Sequence, residues 1–351
     1  MNDLRPLRNV KALFPQRHSP RTTNVGLEQE LLTTPVAGHP FVRIDRVLRA
    51  TAGATYRSWL SFEPGGQVEL SLPASPSVTS LDLLWRTTEL GLRTDCLAAG
   101  VQVVATPIDR ERTVTQVPLQ LRGERYLRMQ DHFDGIGPAG RRMMRLTAST
   151  QVCLDWWPGS AGLEQWRVAL LSGPFLAAMF NRAPGPTSRL ATWLAVDPDR
   201  TAFDGRLLTH DDAVRGYARF AAGATRFLDT PREHLTTLFP PVRPRGRYLE
   251  VRHLDAQPVA MVAPIAAVLA MLLYDDEARR HTLRLLEPLA HSLEEHWYDA
   301  AHRPERLADR ARHLISLAES AMEHAPSGYL PKDVTSRLRQ HREDQSLVGA
   351  T

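Results

Sequence analysis

The pattern of apolar and polar positions changes character once along the chain, at about residue 155. Before that point, short runs of alternating apolar and polar residues lie between turn-forming residues, which is typical of β-strands. The predicted strands span residues 23–33, 56–63, 67–72, 101–106 and 147–156. One helix is predicted among them at 78–99, because Leu81, Trp85 and Leu92 recur at helical spacing and Gly100 supplies a stop.

After residue 159, apolar residues recur every three or four positions, so helices are predicted almost throughout. The predicted helices span residues 163–180, 210–228, 257–273, 276–298, 304–325 and 328–343, with one short strand at 247–254. No Pro-rich break is long or polar enough to form an interdomain linker. We therefore expect a flexible lead-in at 1–22 and a single α+β domain at 23–345, sheet-rich in 23–158 and mostly helical in 159–345.

Composition narrows the class of protein. With 43% hydrophobic and 23% charged residues in 351, the chain can bury a sizeable core. Cys96 and Cys153 are too few for a disulfide framework and lack zinc-site spacing, so a cytoplasmic location is expected. The apolar run at 258–274 is short for a membrane span, contains Pro264 and ends in acidic residues, which favours a buried helix. The net charge of +4 suits nucleic acid or a polyanionic small molecule such as ATP.

Two predicted strands place charged side chains on one face. Strand alternation puts Glu28 and Glu30 on the same side of the strand at 23–33. In the same way, Glu250 and Arg252 share one face of the strand at 247–254. These positions predict a carboxylate pair on one strand and a carboxylate beside a guanidinium on another.

A hairpin is predicted around Pro64-Gly65. This pair suits the two central positions of a type II turn, so the chain folds back on itself. The hairpin then brings Glu63 near Gln67 and Glu69.

The four glutamates at 28, 30, 63 and 69 form an acidic set without lysine. Each strand taken alone fits a solvated face, where charged residues are ordinary. Solvated faces usually mix charge signs to avoid repulsion across strands, however, so a bound cation is expected among these carboxylates. Hard oxygen ligands of this kind favour Mg²⁺ or Mn²⁺ over zinc, and Mg²⁺ typically binds a few carboxylates together with substrate phosphates. The set therefore points to a nucleoside triphosphate.

The same segments resemble glutamate–cysteine ligases of the plant and actinobacterial type, and most of all those of the ergothioneine pathway. The resemblance runs in order from about residue 24 to 258. It is carried by Gly26-Leu-Glu-Gln-Glu, Glu63-Pro-Gly-Gly-Gln-Val-Glu-Leu-Ser, Thr147-Ala-Ser-Thr-Gln-Val-Cys-Leu-Asp and His234-Leu-Thr-Thr-Leu-Phe-Pro-Pro-Val-Arg-Pro-Arg-Gly-Arg-Tyr-Leu-Glu-Val-Arg.

The resemblance implies a glutamine-synthetase-like fold, in which an antiparallel sheet forms a funnel that carries ATP and Mg²⁺, with a helical C-terminal layer. It also implies an enzyme that phosphorylates the γ-carboxylate of glutamate and couples it to an amine, most readily cysteine, with no nucleic-acid or membrane partner. Its site positions correspond here to catalytic Arg252 and Glu250, to substrate-binding Arg125, Arg189, Trp193, Gln67 and Gln151, and to metal-binding Glu28, Glu30, Glu63, Glu69 and Glu250.

Two departures from the family pattern leave alternatives open. Cys153 stands where the family carries an asparagine, and the connection at 229–233 is shorter than usual. With both departures, the assignment of glutamate and ATP as substrates is better supported than the choice of amine. A γ-glutamyl ligase with another amine acceptor is therefore an alternative. An inactive homologue that acts as a binding subunit is another. A nucleic-acid-binding protein is the third, suggested by the arginines at 243, 245, 247 and 252.

Overall fold

A mostly antiparallel arrangement of strands with helices packed against it makes up the fold. The structure is a computed structural model that describes residues 9–209 and 212–348, with side chains up to residue 343. The first eight residues of the predicted lead-in and the start of the predicted helix at 210–228 lie outside the described residues. The described part confirms the predicted α+β class.

Seven strands form one sheet in the order β2-β3-β1-β5-β7-β6, with β4 paired to β1, and every pair is antiparallel. The strands are β1 (Val25–Pro35), β2 (Leu60–Phe62), β3 (Val68–Ser75), β4 (Val101–Val104), β5 (Ser149–Asp155), β6 (Val242–Pro244) and β7 (Tyr248–Asp255). All six predicted strands are present, although the one predicted at 56–63 begins as a 3-10 turn, Arg57–Trp59. Strand β6 was not predicted.

Fourteen α-helices lie within the described residues. They are α1 (Ile44–Ala50), α2 (Val78–Ala98), α3 (Glu124–Asp134), α4 (Ala139–Leu146), α5 (Gly159–Phe180), α6 (Arg189–Leu194), α7 (Pro198–Thr201), α8 (Ala213–Gly223), α9 (Pro231–Leu235), α10 (Val259–Tyr274), α11 (Asp276–Leu286), α12 (Leu293–His302), α13 (Ala308–Met322) and α14 (Val334–Val348). Helices α1, α3 and α4 lie in the half that the sequence predicts to be sheet-rich, and they were missed.

The core lies between the sheet and the helices, because apolar residues alternate along each strand. Leu27 and Leu31 of β1, Val152 of β5 and Val251 of β7 are almost completely buried. Helix α10 is buried from Met261 to its end, as expected for a core helix. Among the described residues, no single helix is long and apolar enough to cross a membrane; only α10 taken together with the segment Asp276–His302, at 87° to it, meets those criteria.

Two expectations need correction. The helix predicted at 276–298 is divided, because α11 ends at Leu286 and a 3-10 turn, Glu287–Ser292, follows. Pro288 in that turn has no N–H to donate, and its ring disfavours a continued α-helix. The lead-in is anchored rather than flexible in its described part. Phe14 is buried, with its ring centroid 4.9 Å from that of Trp156.

Candidate active site

The sheet face opposite the core carries a row of polar residues that crosses several strands. Glu30 of β1 is paired in register with Glu69 of β3, which is paired in turn with Ser61 of β2. Glu28 is paired with Gln151 of β5. Since residues two apart on a strand face the same way, the predicted orientation of Glu28 and Glu30 is confirmed.

Three of the predicted metal ligands meet at one point. Carboxylate oxygens of Glu30, Glu63 and Glu69 all lie within 4.8 Å of one another. Hydrogen bonds orient two of them. The Gln151 side-chain amide donates to Glu30 at 2.8 Å, and the Ser61 hydroxyl donates to Glu69 at 2.7 Å. Glu28 and Glu250, the other two predicted ligands, lie outside this group of three.

Burial disfavours the ionised forms of the carboxyl groups in this acidic group. It raises the pKa of Glu63 well above its usual value, and the neighbouring carboxylates Glu69 and Glu30 add to the shift. For Glu28, burial together with Glu250 and Glu69 raises the pKa to about 8. A divalent cation would favour the ionised forms, and three convergent carboxylate oxygens are a donor set that suits Mg²⁺. The residues present therefore fit the ion that the sequence implies.

The turn that carries Glu63 differs in type from the one predicted. The Gly66 N–H donates to the Glu63 carbonyl at 2.8 Å, so Pro64 and Gly65 do occupy the central positions. The positive φ, however, lies at Gly66 (90°) and not at Gly65, which rules out the predicted type II turn. Gly65 is required for another reason. A Cβ there would lie 2.6 Å from the backbone of Arg145.

Gln67 stabilises this turn through hydrogen bonds of its side chain. Its side-chain carbonyl accepts from the Gly65 N–H at 3.0 Å, and its amide donates to the Thr147 carbonyl at 2.9 Å. Gln67 lines the cavity as predicted, but its hydrogen bonds go to the backbone. Its position suits a residue that holds Glu63 in place.

A basic group lies on the other side of Glu28. Glu250 is buried, and its carboxylate pairs with Arg252, with Arg245 at 3.1 Å and with Arg243 at 3.9 Å. Burial opposes ionisation of Glu250, but the three guanidinium groups outweigh burial and lower its pKa. From the sequence, only Arg252 was predicted to lie beside Glu250. Arg243 and Arg245 were considered there as part of a nucleic-acid patch, whereas the structure places them in the cavity.

The two arginines that the resemblance links to glutamate recognition line the same cavity. Arg125 of α3 lies with its guanidinium 5.4 Å from the Tyr126 ring centroid and donates to the Thr236 carbonyl at 2.9 Å. Arg189 of α6 lies 5.0 Å from the Trp193 ring centroid and donates to the Arg252 carbonyl at 3.0 Å. Trp193 therefore acts as a packing surface for Arg189.

Several buried polar atoms around this cavity have no hydrogen-bond partner among the described residues. They include Nε of Arg125, Arg189 and Arg252 and the side-chain carbonyl oxygen of Gln151. Leaving a buried polar atom unpaired costs on the order of 1–3 kcal/mol, so such atoms are usually paired in the functional state. A polar ligand in the cavity would supply the missing partners.

Sequence reasoning missed the apolar wall of the cavity. This wall is formed by Met129 and Phe133 of α3, Met144 of α4, and Val196 and Phe239. The spacing of Tyr126, Met129 and Phe133 is helical and could have revealed α3. Of the positions before 155, only 78–99 were predicted to be helical, so this signal was missed.

Together these parts enclose a cavity of about 310 Å³. Acidic, basic and apolar walls meet in it. Such a cavity can hold a cation with an anion bound to it, and it can also contact an apolar group.

Comparison with known proteins gives one matching family model and several similar proteins. The sequence model of the glutamate-cysteine ligase family 2 (GCS2) matches residues 24–346. Glutamate–cysteine ligase EgtA of Mycolicibacterium smegmatis is 29% identical over 92% of this chain and 85% of its own length. The chloroplastic glutamate–cysteine ligase of Arabidopsis thaliana is 27% identical over 64% of this chain and 51% of its own length. Glutamate–cysteine ligase from Francisella tularensis in complex with AMP has a TM-score of 0.44 and 11% identity, over 96% of this chain and 95% of that one.

Proposed function

The chain belongs to the glutamate–cysteine ligase family 2, a family of ATP-dependent carboxylate–amine ligases, and on that basis we propose which bond it forms. Its substrates are ATP, glutamate and an amine, with cysteine as the first candidate. The product is then γ-glutamylcysteine. Mg²⁺ accompanies ATP.

One observation carries this proposal. Three carboxylates, Glu30, Glu63 and Glu69, converge in a cavity that is also lined by the arginines around Glu250. Phosphoryl transfer needs neutralised phosphates and aligned reactants rather than a protein nucleophile. An acidic and a basic group in one cavity fulfil that need.

Each group of residues has a part in the reaction. The γ-carboxylate of glutamate attacks the terminal phosphorus of ATP, which releases ADP and leaves an acyl phosphate. The amine then attacks the acyl carbon and phosphate leaves. Glu30, Glu63 and Glu69 would hold Mg²⁺, which when bound neutralises the phosphate oxygens. Arg252, kept charged by Glu250, contacts the transferring phosphoryl group.

Glutamate recognition falls to Arg125 and Arg189. A guanidinium can bind a carboxylate through two parallel hydrogen bonds, and the unpaired Nε atoms of both residues are available for this. Cys153 is not a candidate nucleophile, because burial, with Glu28 next in effect, raises the pKa of its thiol well above the usual value.

The deciding experiment is ADP release in the presence of glutamate, MgCl₂ and a panel of amines, followed by the mass of the product. Glutamate- and amine-dependent ADP release, with a product heavier than glutamate by the amine less one water, supports the proposal. No turnover with any amine would favour an inactive homologue. Salt-sensitive binding of DNA or RNA without turnover would favour the nucleic-acid alternative.

A second candidate differs only in the amine. The apolar wall of Met129, Phe133, Met144, Val196 and Phe239 lines the same cavity as the charged walls. Such a wall favours an amine with an apolar side chain over one with a charged side chain, because a buried charge without a partner is costly. The amine panel should therefore include 2-aminobutyrate, valine and phenylalanine beside cysteine.

A further inference from the structure

Helix α2 carries an exposed apolar stripe on the side away from the core. Leu83, Leu90 and Leu97 are 64%, 64% and 58% exposed, and they are seven residues apart. Thr87 and Thr94 lie between them, so the five positions follow one another at intervals of four, three, four and three. We call these five residues the leucine seam.

The seam is more apolar than its sequence suggests. The Thr87 hydroxyl donates to the Leu83 carbonyl at 2.9 Å, and the Thr94 hydroxyl donates to the Leu90 carbonyl at 2.8 Å. Both hydroxyls thus bond within their own helix, and the threonines can offer methyl groups to a partner. The seam covers about 21 Å of helix at 1.5 Å per residue, which is four turns.

Alternating intervals of three and four are the spacing at which one α-helix packs along another. Leucine then occupies one of the two seam positions of every heptad, and threonine the other. In parallel coiled coils, leucine at this position with a β-branched residue at the other favours a two-stranded arrangement, in which leucine meets leucine.

The charges next to the seam agree with pairing between identical helices. Arg86 and Arg93 flank the seam on one side, and each is paired with a carboxylate of its own helix, Arg86 with Asp82 at 3.0 Å and Arg93 with Glu89. In an antiparallel pair these arginines would face their own copies. In a parallel pair they would lie along the opposite flank of the partner helix, where Ala98 offers no charge.

We propose that the leucine seam is the contact surface between two copies of this chain, with their α2 helices parallel about a two-fold axis. The association is weak, since three leucines per copy form only the centre of a standard interface of about 800 Å² per partner. Val36, 62% exposed, adds apolar surface next to the helix end, where its N–H donates to the Gly100 carbonyl. The proposal is independent of which amine the enzyme uses.

Sedimentation velocity of the full chain between about 1 and 200 µM tests the proposal, because weak interfaces dissociate in this range. We expect a shift from monomer to dimer with rising concentration, and Leu90→Glu should remain monomeric throughout. Leu127→Glu is the matched control, since Leu127 is 39% exposed but lies on α3, and this variant should dimerise like the unchanged chain. Circular dichroism checks that all variants are folded, and Leu90→Lys gives a second charged variant.

Orientation is tested by oxidising Leu83→Cys. In a parallel pair, residue 83 meets its own copy and a disulfide-linked dimer forms, whereas an antiparallel pair brings it near residue 97 instead. A chain that stays monomeric at about 200 µM, or a dimer that Leu90→Glu leaves intact, would overturn the seam as a self-contact. A dimer in which Leu83→Cys does not cross-link to itself would overturn the parallel arrangement.

Discussion

Replacing Glu69 by glutamine removes one charge from the group of three carboxylates and leaves the shape of the site unchanged. The carboxylate oxygens lie within 4.8 Å of one another, and two unit charges at that separation repel each other by about 3.5 kcal/mol at an effective dielectric constant near 20. Burial raises the pKa of both Glu63 and Glu30, and the Glu69 carboxylate adds to each shift, so glutamine at position 69 removes one source of repulsion from both. Stability without metal should therefore hold or rise, by an amount on the order of a few kcal/mol, and Tm should rise by several degrees.

Activity should change in the opposite direction. A glutamine oxygen is a weaker ligand for Mg²⁺ than a carboxylate, so ADP release should fall by at least about a hundredfold. The Ser61 hydroxyl can still donate to the new side chain, so the local hydrogen bond is kept. Scanning fluorimetry with and without MgCl₂ should show a metal-induced rise in Tm for the unchanged chain and little or none for Glu69→Gln.

The matched control is Glu305→Gln, because Glu305 is exposed and does not line the cavity. It should keep both the activity and the response to MgCl₂. If Glu69→Gln instead lowers Tm strongly while ADP release is retained, Glu69 is a structural acid and the assignment of the metal site is wrong.

Three further predictions concern recognition and pH. Arg125→Lys should raise the KM for glutamate about tenfold or more while changing the KM for ATP little, since lysine cannot form the paired hydrogen bonds of a guanidinium; equal effects on both would remove the assignment. Arg189→Lys should act in the same direction and also lower Tm, because Arg189 is buried and donates to the Arg252 carbonyl. For the amine, the ratio of kcat/KM for cysteine over 2-aminobutyrate should stay below about a hundredfold, and a larger ratio would show a closed, thiol-selective pocket. Burial lowers the pKa of His253 to about 3, so between pH 6.5 and 4 the unfolded chain binds a proton that the folded chain does not. The free energy of unfolding should therefore decrease as the pH is lowered, by up to about 1.4 kcal/mol per pH unit. His253→Leu should reduce this pH dependence in urea unfolding, and an unchanged pH dependence would contradict the reasoning.

The local pattern of apolar and polar residues was enough to predict the strands and helices in which one periodicity continues along the whole element. Alternation placed Glu28 and Glu30 on one face of β1, and helical spacing located α2 to within one residue at its end. The apolar run at 258–274 was correctly assigned to a buried helix, because its composition demands an apolar surrounding. In each case the residues that decide the outcome are close neighbours in the chain.

Local pattern failed where short elements depend on distant partners. Helix α4 has only eight residues in which to show a period, and it packs against α3 and α6. The lead-in was expected to be flexible, yet Phe14 packs on Trp156, more than a hundred residues away. Sequence composition alone does not reveal such a contact.

The candidate site divides in the same way. The sequence by itself predicted which side chains are candidates for the chemistry, since their pattern and family resemblance are visible in short segments. These candidates are Glu30, Glu63, Glu69, Glu250 and Arg252. Only the tertiary structure decided which of them meet. Strand register brings Glu30 beside Glu69 and places Arg243 of β6 against Glu250 of β7. Register depends on packing of the whole sheet against the helices, which is a property of all the strands together and of no single segment.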